Sequence, residues 1–534
     1  MKLLSIQNLS LSINGSLILN NINLNINQSD IFGIVGESGA GKSMTAGAIT
    51  RLLPENSNIV GRIIFNGEDI TRIHERHMSK IRGNEVSMIF QEPMKALNPL
   101  KTIEQQVAET LIIHTKTSFR KAREIALAKL ERVGIDINSV SPKRYPHELS
   151  GGQRQRVMIA MAIALKPKLL IADEPTTALD VTTQEKILVL LKELVVKEKM
   201  ALMIITHDLG IIAKLTNKVV VMKDGSVIDS GETTKVFTKL QHPYTKQLLL
   251  DYLPSKQKIN KSVSEENLLN VKQVSKSYKK KYSFFQTEKT FSLALHNVSF
   301  RLKSGECIGL VGESGCGKST LARSILGLES IQEGEIFLNN FEITKKSFIK
   351  KQIRAQMQVV FQDPYSSFNP RHKIKRIIAE PLFLLENAPK HQKKSDLLIK
   401  TIENVGLTAD DLEKYPNEFS GGQRQRIAIA RSIIIEPKLV ILDEALSALD
   451  ASIRKKIIEL LQKLSKEYNL SYLFITHDLQ LVKSITDKVL IMYKGKIIEQ
   501  GKTEEVLKYP KTDYAKKLIG SSLSVPKEWE KISI

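Results

Sequence analysis

A set of short motifs that occurs twice, in the same order and at almost the same spacing, constrains this chain more than any other feature. "GESGAGKS" fills residues 36–43 and "GESGCGKS" fills 312–319, so Lys42 returns as Lys318, 276 residues later. "SGGQRQR" starts at Ser150 and Ser420, "DE" at Asp173 and Asp443, and "THDL" at Thr206 and Thr476; each pair is 270 residues apart. One domain of about half the chain has been duplicated. The polar "PSKQKINKSVSEEN" at 254–267 follows the apolar "QLLLDYL", and "LLNVKQVS" then restarts the pattern of "LLSIQNLS". The expected organisation is a first domain over 1–253, a linker over 254–267 and a second domain over 268–534.

Composition narrows the class. Hydrophobic residues are 42% and charged residues 25% of 534, as in a globular protein. No uninterrupted apolar run approaches the roughly 18 residues of a membrane helix. The N-terminus turns polar too soon for a signal peptide, so a cytoplasmic chain is expected. Two cysteines, Cys307 and Cys316, exclude zinc or iron–sulfur sites built from cysteine. The formal charge of +22 suits nucleic acid or an anionic membrane surface, or simply lysine-rich solvated faces. The last reading is preferred, because the longest basic cluster, Lys279-Lys280-Lys281, is short and has no aromatic stacking platform.

"IFGIVGESGAGKSMTAGAITRLL" and "CIGLVGESGCGKSTLARSILGL" each read as strand, glycine loop and helix, the context that G-x-x-x-x-G-K-[ST] requires. Gly36, Ser38, Gly39 and Gly41, with Gly312, Ser314, Gly315 and Gly317, would let backbone N–H groups reach phosphate oxygens at a helix N-terminus. Lys42 and Lys318 would reach the β- and γ-phosphates of a triphosphate; Ser43 and Ser319 would ligate Mg²⁺, and Thr320, next in the second copy, is a nucleotide-binding candidate. "KLLIADEP" and "KLVILDEA" read as buried parallel strands with acids at the C-terminal end, where ligands sit in open α/β sheets. Asp173 and Asp443 are then candidate Mg²⁺ ligands, and Glu174 and Glu444 candidates for polarising the attacking water. His207 and His477, at the ends of "ALMIITHD" and "SYLFITHD", would hold the γ-phosphate and orient that water.

With these motifs in hand, the chain resembles two fused ATP-binding cassette domains of a transporter. The resemblance rests on the ordered set: P-loop, glutamine loop at Gln91 and Gln362, signatures "LSGGQ" (149–153) and "FSGGQ" (419–423), acidic strand, "ALD" at 178–180 and 448–450, and the histidine. It implies an α/β fold of tandem P-loop NTPase domains, each with a mostly parallel core sheet, an antiparallel β subdomain and a helical subdomain. It also places Gln91 and Gln362 at both nucleotide and Mg²⁺. Ser150, Gly151, Gly152 and Gln153, with Ser420, Gly421, Gly422 and Gln423, become a second phosphate cradle that closes over ATP held by the opposite half. Site one would join Lys42 with Ser420, and site two Lys318 with Ser150. Tyr278 stands where the family stacks an aromatic on adenine, whereas the region around Ser12 and Ile13 has none; weaker nucleotide binding is expected at site one. A further departure is "DEPTTALD" becoming "DEALSALD".

"FQEPMKALNPLKTIEQQVAETL" and "FQDPYSSFNPRHKIKRIIAEPL" resemble the oligopeptide and dipeptide importer branch, and the fused arrangement is most similar to ATPases of microcin C and oligopeptide importers. "HPYTKQLLLDYLP" (242–254) resembles that branch's C-terminal extension, and "YPKTDYAKKLI" (509–519) a degraded copy of it. The resemblance implies ATP hydrolysis with Mg²⁺, two separate membrane permease subunits, an extracytoplasmic peptide-binding protein, no nucleic acid, and a peripheral place on the cytoplasmic face of the inner membrane. Tandem cassettes acting on the ribosome typically carry a long charged helical linker, for which 254–267 is too short. Tandem sugar importer ATPases usually have one degenerate site and lack the HPYT tail, and a DNA-repair cassette ATPase would need zinc cysteines that this chain does not have. Two smaller expectations concern "HERH", read as a surface helix rather than a metal pair, and Cys316, whose place near a helix N-terminus and a lysine suggests a lowered pKa and a reactive thiol.

Overall fold

The apolar pentapeptides ahead of the glycine loops become the centres of parallel sheets. A computed structural model of the chain describes residues 2–177, 179–253, 264–279, 291–343, 350–447 and 449–531. Residues 254–263 of the expected linker, Lys280 and Lys281 of the basic cluster, and Ala178 and Ala448 of the "ALD" motifs lie outside the described residues.

Every residue of Ile31–Val35 and of Cys307–Val311 is buried. Each strand has a parallel neighbour on both sides, which is why the sequence runs continuously apolar instead of alternating. In the first half, the described strands run in the order Ser226–Glu232, Lys218–Lys223, Ile31–Val35, Ala201–Thr206, Leu169–Asp173, Val86–Ile89. All pairs are parallel except the first, an antiparallel edge. The second half repeats the order with Lys496–Lys502, Lys488–Tyr493, Cys307–Val311, Ser471–Ile475, Leu439–Asp443 and Met357–Val360. Thus Asp173 and Asp443 end strands one removed from the strand feeding the glycine loop, at the same sheet edge.

A separate antiparallel sheet in each half is built on the long strands Lys2–Ile13 and Ser16–Asn27, or Asn267–Lys279 and Phe291–Lys303. It packs on the parallel sheet through one apolar cluster. In the first half this cluster joins Leu4, Ile22 and Ile63 to Phe32, Ile34 and the loop-following helix residues Ala46 and Ile49. In the second it joins Leu269, Val298 and Ile336 to Ile308, Leu310, Leu321 and Ile325. The helical part of the first half contains Ile103–Thr115, Phe119–Arg132 and Gly151–Ala162; that of the second contains Ile374–Ala379, His391–Asn404 and Gly421–Ile433. The expected α/β architecture, with parallel core, antiparallel sheet and helical region in each half, is the one found. Among the described residues no helix is long and apolar enough to cross a membrane.

The end of the chain crosses to the other half. Leu523, Val525 and Trp529 join the apolar core of the first half, and Trp529 stacks on Phe237 at 4.5 Å with 23° between the rings.

Candidate active sites

Each glycine loop delivers its lysine and serine onto a helix that starts without a side-chain cap. Gly41 and Gly317 precede Lys42–Thr50 and Lys318–Ile325 with φ of 92° and 111°, a left-handed turn that glycine adopts without strain. The first-turn N–H groups of such a helix have no intrahelical acceptor and lie open to an anion. Close approach matters at Gly36 and Gly312, where a Cβ would stand 2.2 Å from the carbonyl oxygens of Met222 and Met492. Lys42 is buried and donates to the carbonyls of Gly36 and Glu37 at 2.8 Å; Lys318 does the same to Gly312 and Glu313 at 2.8 and 2.9 Å. Burial lowers the Lys42 pKa, opposed by the carboxylates of Asp450, Glu174 and Asp173.

The acids meet these loops at the sheet edge. Glu174 and Glu444 follow their strands at φ of 45° and 50°, a left-handed conformation that costs a non-glycine residue about 1–2 kcal/mol. The N–H of each is fixed by the adjacent strand, donating to Ile205 or Ile475 at 2.8 Å. In the first half the Glu174 carboxylate meets His207 Nδ1 at 2.9 Å, Gln91 Nε2 at 2.9 Å and the Thr177 hydroxyl at 2.9 Å. Burial pushes Glu174 up, but the hydrogen bond and charge of His207, with Thr177 and Lys42, bring it to about 2. Burial works to lower His207, yet Glu174 raises its pKa overall. In the second half Gln362 Nε2 reaches Glu444 at 3.1 Å and His477 Nδ1 stands 3.7 Å away, so that cluster is looser. There His477 and Lys318 hold the carboxyl of Glu444 down against its burial.

Asp173 and Asp443 are both raised, chiefly by burial. The hydroxyls of Ser43 and Ser319 are their hydrogen-bond partners, the second at 3.3 Å. Asp173 Oδ1 is buried with no partner among the described residues. A buried carboxylate oxygen left bare beside a serine hydroxyl suits a hard divalent cation.

Ser150 and Ser420 each begin the signature helix. Their hydroxyls accept from the N–H of Gln153 and Gln423, and those glutamine side chains accept from the serine N–H, closing a capping box. The free donors of the cradle are therefore narrowed to the glycines, Gly151 and Gly152 or Gly421 and Gly422. Gly152 and Gly422 also let the next helix approach: a Cβ there would stand 2.6 Å from Thr183 Cγ2 or 2.7 Å from Ile453 Cγ2.

The halves touch at the loops. Ser38 donates its N–H and hydroxyl to Asp450, at 2.8 and 3.0 Å. Reciprocally, the Ser314 N–H helps to lower Asp180 against its burial, and Thr182 donates to Glu313 at 2.7 Å. Asp180 and Asp450 close the "ALD" motifs, so this cross-contact was missed as a residue role although its motif was seen. Also missed were Tyr244 and Tyr514, whose hydroxyls accept the N–H of Glu37 at 3.3 Å and of Glu313 at 3.0 Å. The repeated tyrosine in the two C-terminal extensions was the available signal.

Tyr278 is half exposed beside the second loop, with its hydroxyl at Glu329 and 3.4 Å from Thr320 Oγ1. Counting from the paired Leu4–Phe65 and Leu269–Leu338, Ile13 holds its register position in the first half. One expectation is overturned: Cys316 is buried, and burial pushes its thiol up despite Lys318. In "HERH", His74 caps its helix by accepting the Arg76 N–H at 3.2 Å, and His77 faces Glu68 at 3.7 Å.

Two stretches, 19–177 and 295–447, match the ABC transporter family model. The peptidoglycan transport ATP-binding protein YejF of Agrobacterium fabrum is 41% identical over 530 residues, covering 98% of this chain and 97% of that protein. An uncharacterised ABC transporter ATP-binding protein YejF of Escherichia coli is 41% identical over 97% of this chain and 99% of its own. The glutathione import ATP-binding protein GsiA of Escherichia coli O157:H7 is 40% identical over 94% of this chain and 86% of its own. Two matched regions, two glycine loops and two partly buried acid–histidine clusters lead to one conclusion: the chain belongs to the ABC transporter family, as an ATP-binding, ATP-hydrolysing protein with two cassettes on one polypeptide.

Proposed function

We propose that this chain powers import of short peptides or peptide-like compounds through two separate permease subunits, fed by an extracytoplasmic binding protein. Cassettes over 1–253 and 268–534, joined by 254–267, would work as one clamp at the cytoplasmic face of the inner membrane. The reciprocal contact of Ser38 with Asp450 and of Ser314 with Asp180 carries this reading, because it ties each phosphate loop to the other half. Lys42 and Lys318 bind the triphosphate together with Gly36, Ser38, Gly39 and Gly41, or Gly312, Ser314, Gly315, Gly317 and Thr320. Closure brings Ser420 to Lys42 and Ser150 to Lys318. The Gly151–Gly152 and Gly421–Gly422 amides then face the terminal phosphate.

Glu174 and Glu444, ionised well below neutral pH, take up the proton side of the attacking water, while His207 and His477 fix their orientation. Ser43, Asp173, Ser319 and Asp443 would hold Mg²⁺, with Gln91 and Gln362 at hand; the cation neutralises phosphate charge when bound. The peptide class is supported by the relatives' names, peptidoglycan transport and glutathione import. Permease docking is supported by apolar side chains left exposed around and after the glutamines: Phe90, Met94 and Leu100, with Tyr365 and Phe383 in the second half.

In proteoliposomes with the cognate permeases, peptide-loaded binding protein should stimulate ATP hydrolysis by the intact chain. Hydrolysis that persists in Glu174→Gln/Glu444→Gln, or that ignores peptide, defeats the reading.

A further inference from the structure

Both C-terminal extensions reach back to the phosphate loop of their own half. Tyr244 lies in the first turn of Pro243–Tyr252, and Tyr514 in the first turn of Asp513–Gly520. The flanking sequences differ, yet His242 and Thr512 cap the two helices alike, accepting from the N–H of Tyr244 and of Ala515. Each tyrosine ring is half-buried and packed, under Lys223 Nζ at 5.0 Å or against Tyr493 at 4.2 Å. Burial raises both phenols, Tyr244 to about 12, so both stay neutral across the physiological range. Glu37 is thus held at both backbone groups, its N–H by Tyr244 and its carbonyl by Lys42, which also holds the Gly36 carbonyl of the peptide carrying that N–H.

On the nucleotide reading of the loop, a bound phosphate would compete for the Lys42 ammonium, and the carbonyl would then lose a donor. The hold on the N–H remains, and so does the grip of Asp450 on the next residue, Ser38. At its far end the same helix bears Asp251, which pairs with Lys455 of the opposite half at 2.9 Å. Lys455 lies on Ala451–Tyr468, the helix that Asp450 precedes. Pro243–Tyr252 therefore spans from its own phosphate loop to the element of the other half that touches the same loop.

We propose that Tyr244 and Tyr514 are positioning residues of the two nucleotide sites. Their hydroxyls fix the peptides of Glu37 and Glu313 so that the following loop amides stay aimed at phosphate when the lysine moves. The proposal rests on the nucleotide reading of the loops. It is tested in the full-length chain with Tyr244→Phe/Tyr514→Phe, which keeps the rings and removes the acceptors.

Mg-ADP affinity by titration calorimetry should fall about 3- to 10-fold, the worth of one hydrogen bond per site. The KM for ATP should rise by the same factor with kcat within about twofold, as for a contact made equally in ground and transition states. Unchanged ADP affinity and KM in a variant with wild-type circular dichroism overturn the proposal, whatever the melting temperature does. Lys42→Ala/Lys318→Ala separates the two levels. If wild-type chain binds ADP and this variant does not, the loops are nucleotide sites and the phenylalanine result alone decides the role of the tyrosines. A wild-type chain that binds no ADP brings down both.

Discussion

The strap formed by the last residues offers a direct test, because Trp529 is the only tryptophan in the chain. Leu523, Val525 and Trp529 are 7%, 5% and 2% exposed in the core of the first half. Leu523 lies against Gly210, in the helix that follows His207 and Asp208, and its carbonyl is in reach of Tyr252 and Gln480 at 3.5 and 3.4 Å. Apolar burial of the three anchors supplies about 9 kcal/mol, roughly 5 from the tryptophan and 2 from each aliphatic side chain. Ordering residues 523–529 costs about 7 kcal/mol at ~1 kcal/mol each. The margin is about 2 kcal/mol. Leu523→Asp removes as much in lost burial alone, and the carboxylate adds a desolvation cost of several kcal/mol. The strap should therefore leave the first half. Tryptophan emission should shift to the red and acrylamide quenching should rise, with far-ultraviolet circular dichroism almost unchanged. Emission and quenching identical to wild type would refute the margin and the account of what holds the strap.

Three further outcomes follow from the site geometry. Glu174→Gln and Glu444→Gln should each lower phosphate release, and together lower kcat by about 10²- to 10⁴-fold while ADP binding persists; a double variant as fast as wild type would remove these glutamates from the chemistry. The Glu174–His207 pair should give the first half a pH-dependent stability. Glu174 is depressed to about 2 from 4.5, so its contribution holds above about 4.5 and is lost as pH falls toward 2. His207 is raised above 6.5, so its contribution holds below 6.5 and is lost as pH rises past its folded value. Denaturation series should find the pair most stabilising between those limits, and Glu174→Gln should lower stability there and flatten the slopes on either side; an unchanged profile would contradict the coupling. Finally, Tyr278→Ala should weaken ATP binding at site two by about 1–3 kcal/mol, measured with site one disabled by Lys42→Ala. Site one, with Ile13 in that register position, should already bind more weakly in Lys318→Ala; equal affinities of the two isolated sites would remove the stacking argument.

Most of the architecture was legible because the two strongest signals are local. A short apolar run ending in Asp–Glu fits a strand buried on both faces, and Gly41–Lys42–Ser43 after the apolar Ile31–Val35 fits a helix opening at the sheet edge. The repeat then fixed the second half by transfer. What escaped was set by tertiary contact between segments far apart in sequence. Nothing near Cys316 announced that its side chain would join an apolar cluster with Leu295, Leu490 and Met492, so proximity to a lysine was read as activation when burial dominates. The terminal strap was invisible for the same reason: "SSLSVPKEWEK" has no period of its own, and Leu523, Val525 and Trp529 find meaning only in the core of the first half, where Trp529 stacks on Phe237, almost 300 residues earlier. The two tyrosines of the C-terminal extensions lie between these extremes. Their recurrence could be read from the chain, but their purpose appears only once Glu37 and Glu313 are seen to need an acceptor that the loop itself does not supply.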